Sequence, residues 1–151
     1  KLGAPRVLSW DPEALQLPGL AETLAAAGIQ LVPSRLGDPD RRQALAALES
    51  IPVGLTAAAA GLARTGSIVL HAHRGQGRLA SLLPPIHFAL LHVSQLYPDI
   101  AAWLAAAGTG QRIAEHSNTV IITGPSRSAD IAQTLTLGAH GPRRVHVILV
   151  G

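Results

Sequence analysis

The β-branched run Ile121-Ile122-Thr123 stops at Gly124-Pro125 and gives way to Ser126-Arg127-Ser128-Ala129-Asp130-Ile131. A second glycine-rich break, Gly138-Ala139-His140-Gly141-Pro142, precedes another β-branched run, Val145-His146-Val147-Ile148. Such boundaries constrain the fold more than any other feature of the chain. A buried strand ending this way places backbone N–H groups and polar side chains at the carboxyl edge of a sheet, where α/β folds bind ligands.

The rest of the chain keeps the same alternation. Residues 6–10, 30–32, 52–56, 67–72, 86–93, 118–123 and 145–150 read as strands. Between them lie helical stretches. Leu15, Leu20, Leu24 and Ile29 fall near helical spacing, with Gly28 closing that helix. Asp38-Pro39 supplies a cap and a first-turn proline for a helix through Leu45 and Leu48. The alanine run after Thr56 reads as a short helix, and residues 98–107 as another that ends at Gly108. Alternation of this kind predicts an α/β domain with a largely parallel sheet. Residues 118–123 and 145–150 are expected to be neighbouring strands of that sheet, buried on both faces.

At 151 residues the chain is one domain, 1–151, long enough to bury a core. It begins at Lys1 rather than Met, so an amino-terminal extension is expected ahead of it. With 48% hydrophobic and 14% charged residues, general disorder is excluded. No apolar run reaches the roughly 18–20 residues of a membrane span. No secretory pattern is visible either, so the expected location is cytoplasmic. With no cysteine, these residues can hold no disulfide, thiolate zinc site or thiolate-ligated iron–sulfur cluster. The basic residues are scattered and aromatics make up 3%, which leaves few stacking platforms and argues against nucleic acid.

Three blocks in order carry a resemblance. The third is the pair of glycine-rich breaks above, similar to a signature reading T/S-G-P-S-x-T/S-A-D-I-E and then G-V-H-G-P. The first runs from Val53-Gly54-Leu55-Thr56 through Ala63-Arg64-Thr65-Gly66-Ser67-Ile68-Val69-Leu70. The second is Arg78-Leu79-Ala80-Ser81-Leu82-Leu83-Pro84-Pro85-Ile86-His87. Together they resemble the lactate utilization protein C family, which carries the LUD domain. The chain departs from that pattern at Ala59, Arg64 and Ala132, where the family usually has acidic residues. The resemblance implies an α/β three-layer sandwich with a largely parallel sheet. The implied fold is akin to ribose-5-phosphate isomerase, the CoA transferases and formyltetrahydrofolate cyclo-ligase. It also implies a part in the oxidation of L-lactate to pyruvate alongside iron–sulfur companion proteins, with no cofactor in this chain.

The residues themselves offer several candidates. Ser126, Arg127, Ser128 and Asp130 read either as an anion cradle at a helix start or as an N-cap with a first-turn carboxylate. His140, between Gly138 and Gly141, is either an exposed acid–base group or a turn histidine. Thr65-Gly66-Ser67 either adds donors to the same site or is a plain turn. Taken as ligand-binding candidates, Thr65, Gly66, Ser67, Ser126, Arg127, Ser128, His140 and Gly141 suit a small carboxylate or phosphate, with His140 and Asp130 as catalytic candidates. These segments are expected to converge on one pocket at a sheet edge.

Ser81 and His87 flank Pro84-Pro85, and His87 reads as a hydrogen-bonded structural histidine or a site residue. His71 and His73 share a strand face, a weak metal signal with no third ligand in view, and no metal site is assigned. Arg74-Gly75-Gln76-Gly77 lacks the strand–helix context of a nucleotide loop. Alternatives to the subunit reading are a stand-alone enzyme or a binding domain for a small anionic metabolite of sugar phosphate, acyl-CoA or folate type.

Overall fold

A computed structural model describes residues 3–35, 41–106, 108–129, 135–137 and 141–151. In chain order its elements begin with β1 (Arg6–Ser9), α1 (Leu20–Ala26), β2 (Gln30–Pro33), α2 (Arg41–Glu49) and β3 (Val53–Ala57). The chain continues through β4 (Ala60–Leu62), β5 (Ser67–Ala72), α3 (Leu79–Leu82), β6 (Ile86–His92) and β7 (Leu96–Tyr97). It ends with α4 (Ile100–Ala105), α5 (Thr109–Ala114), β8 (Asn118–Ile122), β9 (Arg127–Ala129), β10 (Leu135–Leu137) and β11 (Arg144–Val150).

Two principal sheets organise these elements. The first has five strands in the order β11-β6-β3-β1-β2, and every pairing in it is parallel. Parallel neighbours need crossover connections. Here α1 joins β1 to β2 and α2 joins β2 to β3. The second sheet has the order β7-β4-β5-β8 and mixes antiparallel and parallel pairs. A separate antiparallel pair is formed by β9 and β10.

The two sheets share a core. Ile68 and Leu70 of β5 join Leu8, Leu55, Ala57, Ala89 and Leu91 in one buried cluster. The intervening Val69 turns the other way and packs with Ala60, Leu62 and Trp103, as alternation along a strand requires. Contact is tightest at Gly54: a Cβ built there would lie 1.9 Å from the Ala80 carbonyl oxygen. Glycine at this position lets α3 lie directly on β3.

Several expectations are corrected. Residues 118–123 and 145–150 are strands but not neighbours: β8 belongs to the mixed sheet and β11 edges the parallel one. Nor is β11 buried on both faces, since Val147, Ile148 and Leu149 are all exposed. The residues after Thr56 form no helix. Ala58 N–H bonds to Leu90 O and Ala59 N–H to Val69 O, which carries the chain from one sheet into the other. Tertiary hydrogen bonding overrides the helical preference of the alanines. The expected helix start after Ser126 is likewise a strand, β9. The helix expected to close at Gly108 ends at Ala105 with Ala106 as its cap, and Gly108, at φ +75°, is the N-cap of a further helix, α5, which the pattern did not separate.

Candidate functional site

The carboxyl edge of the parallel sheet is reached first by β1 and β3, which end at Ser9 and Ala57. Just past them, Trp10 and the Ala57-Ala58-Ala59 segment line a cavity of about 260 Å³ between the two sheets. His71 from the end of β5, and Tyr97 and Trp103 from β7 and α4, form its opposite side. Gln16, Gln76, Gln95 and His116 complete the lining.

Each of these side chains is held by local structure. The Trp10 indole N–H donates to Gly77 O at 3.1 Å. Gly75 O accepts from Asp11 N–H, and Gly75 sits at φ +86°, the conformation that glycine adopts without strain. The loop Arg74-Gly75-Gln76-Gly77 is therefore a tight turn closed by His73–Gln76 backbone bonds. It steadies Trp10 and delivers Gln76. The Gln76 Oε1 atom is buried with no hydrogen-bond partner among the described residues, which is costly for an amide.

Gln95 Oε1 accepts from His92 N–H, and its Nε2 donates to Gln16 Oε1 at 3.5 Å. Gln16 is the one described non-glycine residue with positive φ, +56°. Such backbone conformations cost free energy and gather at functional positions.

His71 is buried, with Nδ1 2.9 Å from Thr119 Oγ1. Its ring stacks on His116 with centroids 4.3 Å apart, and Trp103 lies 6.4 Å away. His73, expected on the same strand face, lies one residue past β5 in an isolated bridge with Gln76 and is exposed, and no group of three or more metal-ligating side chains occurs among the described residues.

Ser67 occupies the same face of β5 as His71, at the far end of the strand, about 13 Å away at the rise of a β-strand. A hydroxyl chain runs there from Thr65 Oγ1 to Ser67 Oγ at 2.7 Å, and on to Thr123 Oγ1 at 2.8 Å. Ser126 N–H donates to Pro142 O at 2.8 Å, and Gly141 lies against the Ser126 side chain. The structure thus joins the Thr65 turn to Thr123, and Ser126 to Gly141-Pro142. Arg143 and Arg144 N–H groups bond Pro85 O, beside the amino-terminal start of β6. The backbones of Arg127 and Ser128 lie in β9. Asp130, Gly138 and His140 lie outside the described residues.

His87 is fully buried, with Nε2 2.9 Å from Thr56 Oγ1 and Nδ1 without a partner among the described residues. Burial pushes its pKa down to about 4, so the ring is neutral at neutral pH. It belongs to the packing between β3 and β6 and does not line the inter-sheet cavity.

The sequence model of the LUD domain matches residues 9–150. The chain belongs to the LUD domain family. Lactate utilization protein C of Shouchella clausii is 33% identical over 98% of this chain and 63% of its own length. The protein of the same name from Halalkalibacterium halodurans is 32% identical over 97% of the chain, again 63% of its length. An uncharacterised protein of Neisseria meningitidis is 36% identical over 67% of the chain and 43% of its length. The chain thus spans 43–63% of the length of these relatives. A crystal structure of a DUF162 family protein from Deinococcus radiodurans shares the fold with TM-score 0.55 and 21% identity. That match covers 99% of this chain and 89% of the other.

Within this LUD domain the departures from the acidic pattern acquire positions. Ala59 lines the inter-sheet cavity. Arg64 lies 3.3 Å from Asp99, whose other oxygen caps α4 by accepting from Ala102 N–H. A carboxylate at position 64 would face Asp99, so arginine changes repulsion into attraction, worth little at so exposed a site. Ala132 lies outside the described residues. Sequence reasoning passed over Trp10, Gln16, Gln76, Gln95 and Trp103. They come from separate elements, and the readable signal was the end of β1 at a parallel sheet's carboxyl edge.

Proposed function

We propose that this LUD domain acts as a lactate utilization protein C-like subunit in oxidation of L-lactate to pyruvate, with iron–sulfur partner proteins carrying the electrons. The observation supporting this reading is the similarity along 97–98% of the chain to two relatives bearing that name. Removing two electrons and two protons from a hydroxy acid needs an acceptor that side chains do not supply. These 151 residues have no cysteine to hold a cluster, so the electron-carrying centres are assigned to the partners. The chain's own part is to bind and position a small ligand. The fold likeness to ribose-5-phosphate isomerase and the CoA transferases belongs to the same reading. No helix among the described residues is long and apolar enough to cross a membrane.

The test is lactate-dependent dye reduction by the purified chain with and without the iron–sulfur partners. Turnover is expected only with the partners. Robust turnover by the chain alone would refute the subunit reading.

A further inference from the structure

We propose that the inter-sheet cavity beside Trp10 and Trp103 is the ligand site, and that it takes a small, unphosphorylated hydroxy- or oxo-monocarboxylate. The ligand class rests on the lactate-utilization reading; the location rests on the cavity itself.

Size is the first constraint. At about 260 Å³, the cavity falls below the usual range for drug-sized ligands, roughly 300–1,000 Å³. A coenzyme A thioester or a folate cannot be enclosed, whereas a metabolite of a few heavy atoms can. Charge is the second constraint. The described lining contains no Arg or Lys side chain and no Asp or Glu. A phosphate dianion lacks the guanidinium or ammonium partner that compensates for its desolvation. A cation lacks a carboxylate. What remains is a ligand of at most one negative charge, met by amides and imidazoles.

The lining suits such a ligand. The alanines at 57–59 and the two indoles supply apolar walls for a short carbon chain. Gln76, Gln95, His71 and His116 supply donors and acceptors for oxygen atoms. The Gln76 amide, with one buried atom unpartnered, can meet a ligand hydroxyl or carbonyl by rotating its terminal torsion. The strained Gln16 and its link to Gln95 hold the rim in place. The position, beyond the ends of β1 and β3, is where parallel sheets bind ligands.

The molecule carries its own reporter: it has only two tryptophans, and both line this cavity. Intrinsic fluorescence of the purified chain is titrated with L-lactate, pyruvate and inorganic phosphate. A saturable change with lactate or pyruvate, and none with phosphate, is expected. Gln76→Leu should weaken it about tenfold, the scale of a lost buried hydrogen bond, and Ala59→Leu should abolish it by filling the space. Ala59→Leu removes no polar group, so it decides the matter if Gln76→Leu does not fold. Ser126→Ala, beside Pro142 and outside the lining of this cavity, should leave the change intact.

A flat titration would overturn the proposal. So would a response to phosphate alone, or one lost in Ser126→Ala but kept in Ala59→Leu. The dye-reduction assay separates the two readings. Partner-dependent turnover without a fluorescence response leaves the subunit role standing and removes this site; saturable binding without turnover does the reverse.

Discussion

The two faces of the parallel sheet carry different residues and end up differently covered. On one face Gly54, Thr56 and His87 are sealed beneath α3, with no room for a methyl group at position 54. On the other, Val7, Val53, Leu55, Phe88, Leu90 and Ile148 line an open apolar cavity of about 800 Å³, roofed in part by Leu20 and Leu24 of α1. Apolar patterning fixes which residues avoid water, but the elements available in the chain decide whether they are covered. Polar side chains are tolerated in the sealed face because Thr56 and His87 pair with each other. On the open face the buried Ser9 hydroxyl is met by its own neighbour's backbone, donating to Trp10 O at 2.6 Å.

This contrast can be broken most directly at Gly54. Gly54→Ala drives a Cβ into the Ala80 carbonyl, and α3 must lift off the sheet. A loss of roughly 4 kcal/mol or failure to fold is expected, at the upper end for single substitutions. Chemical denaturation measures it, and a near-neutral result would mean that α3 is loosely held.

The next effect is acid sensitivity. His87 has its pKa lowered to about 4 from 6.5. Above pH 6.5 the ring is neutral in both folded and unfolded chains, so the stability of this packing is fully present. Between pH 6.5 and about 4 only the unfolded state takes up the proton. Stability should then fall by about 3 kcal/mol across that window, with no further loss from this group below it. Urea midpoints across the pH range test this, and His87→Gln should flatten that limb. An unchanged limb in the variant would assign the acid loss elsewhere.

The smallest effect belongs to the open face. Ile148 is 44% exposed, so Ile148→Thr should change stability by no more than about 0.5 kcal/mol. A larger loss would show that the face is covered in solution, which thermal denaturation at two protein concentrations would reveal.

How legible all this was depended on the range of the interactions. The strand at 67–72 could be read directly, because β-branched residues between turn signals act locally. The alanines after Thr56 misled because their backbone is claimed by Leu90 and Val69, partners distant in sequence. The pairing of β8 and β11 failed for a related reason. Both have the composition of interior strands, and composition does not name the neighbour. The Gly124-Pro125 break drew attention because glycine and proline write their backbone constraints into the sequence, and Gly124 does take a positive φ, +98°. The glutamines of the inter-sheet cavity carry no such mark. They matter only because two sheets meet there.

The parallel sheet has a temporal asymmetry as well. β6 finds β3 on one side from residues already made, but its other neighbour, β11, follows only after β7 and β8 of the mixed sheet. A ribosome-bound chain is therefore expected to carry β6 with one unpaired edge until β11 emerges. A chain stopped before Arg144 should be rescued by a peptide spanning Arg144–Val150, which slots along Ile86–His92 in the native register and closes the edge in trans.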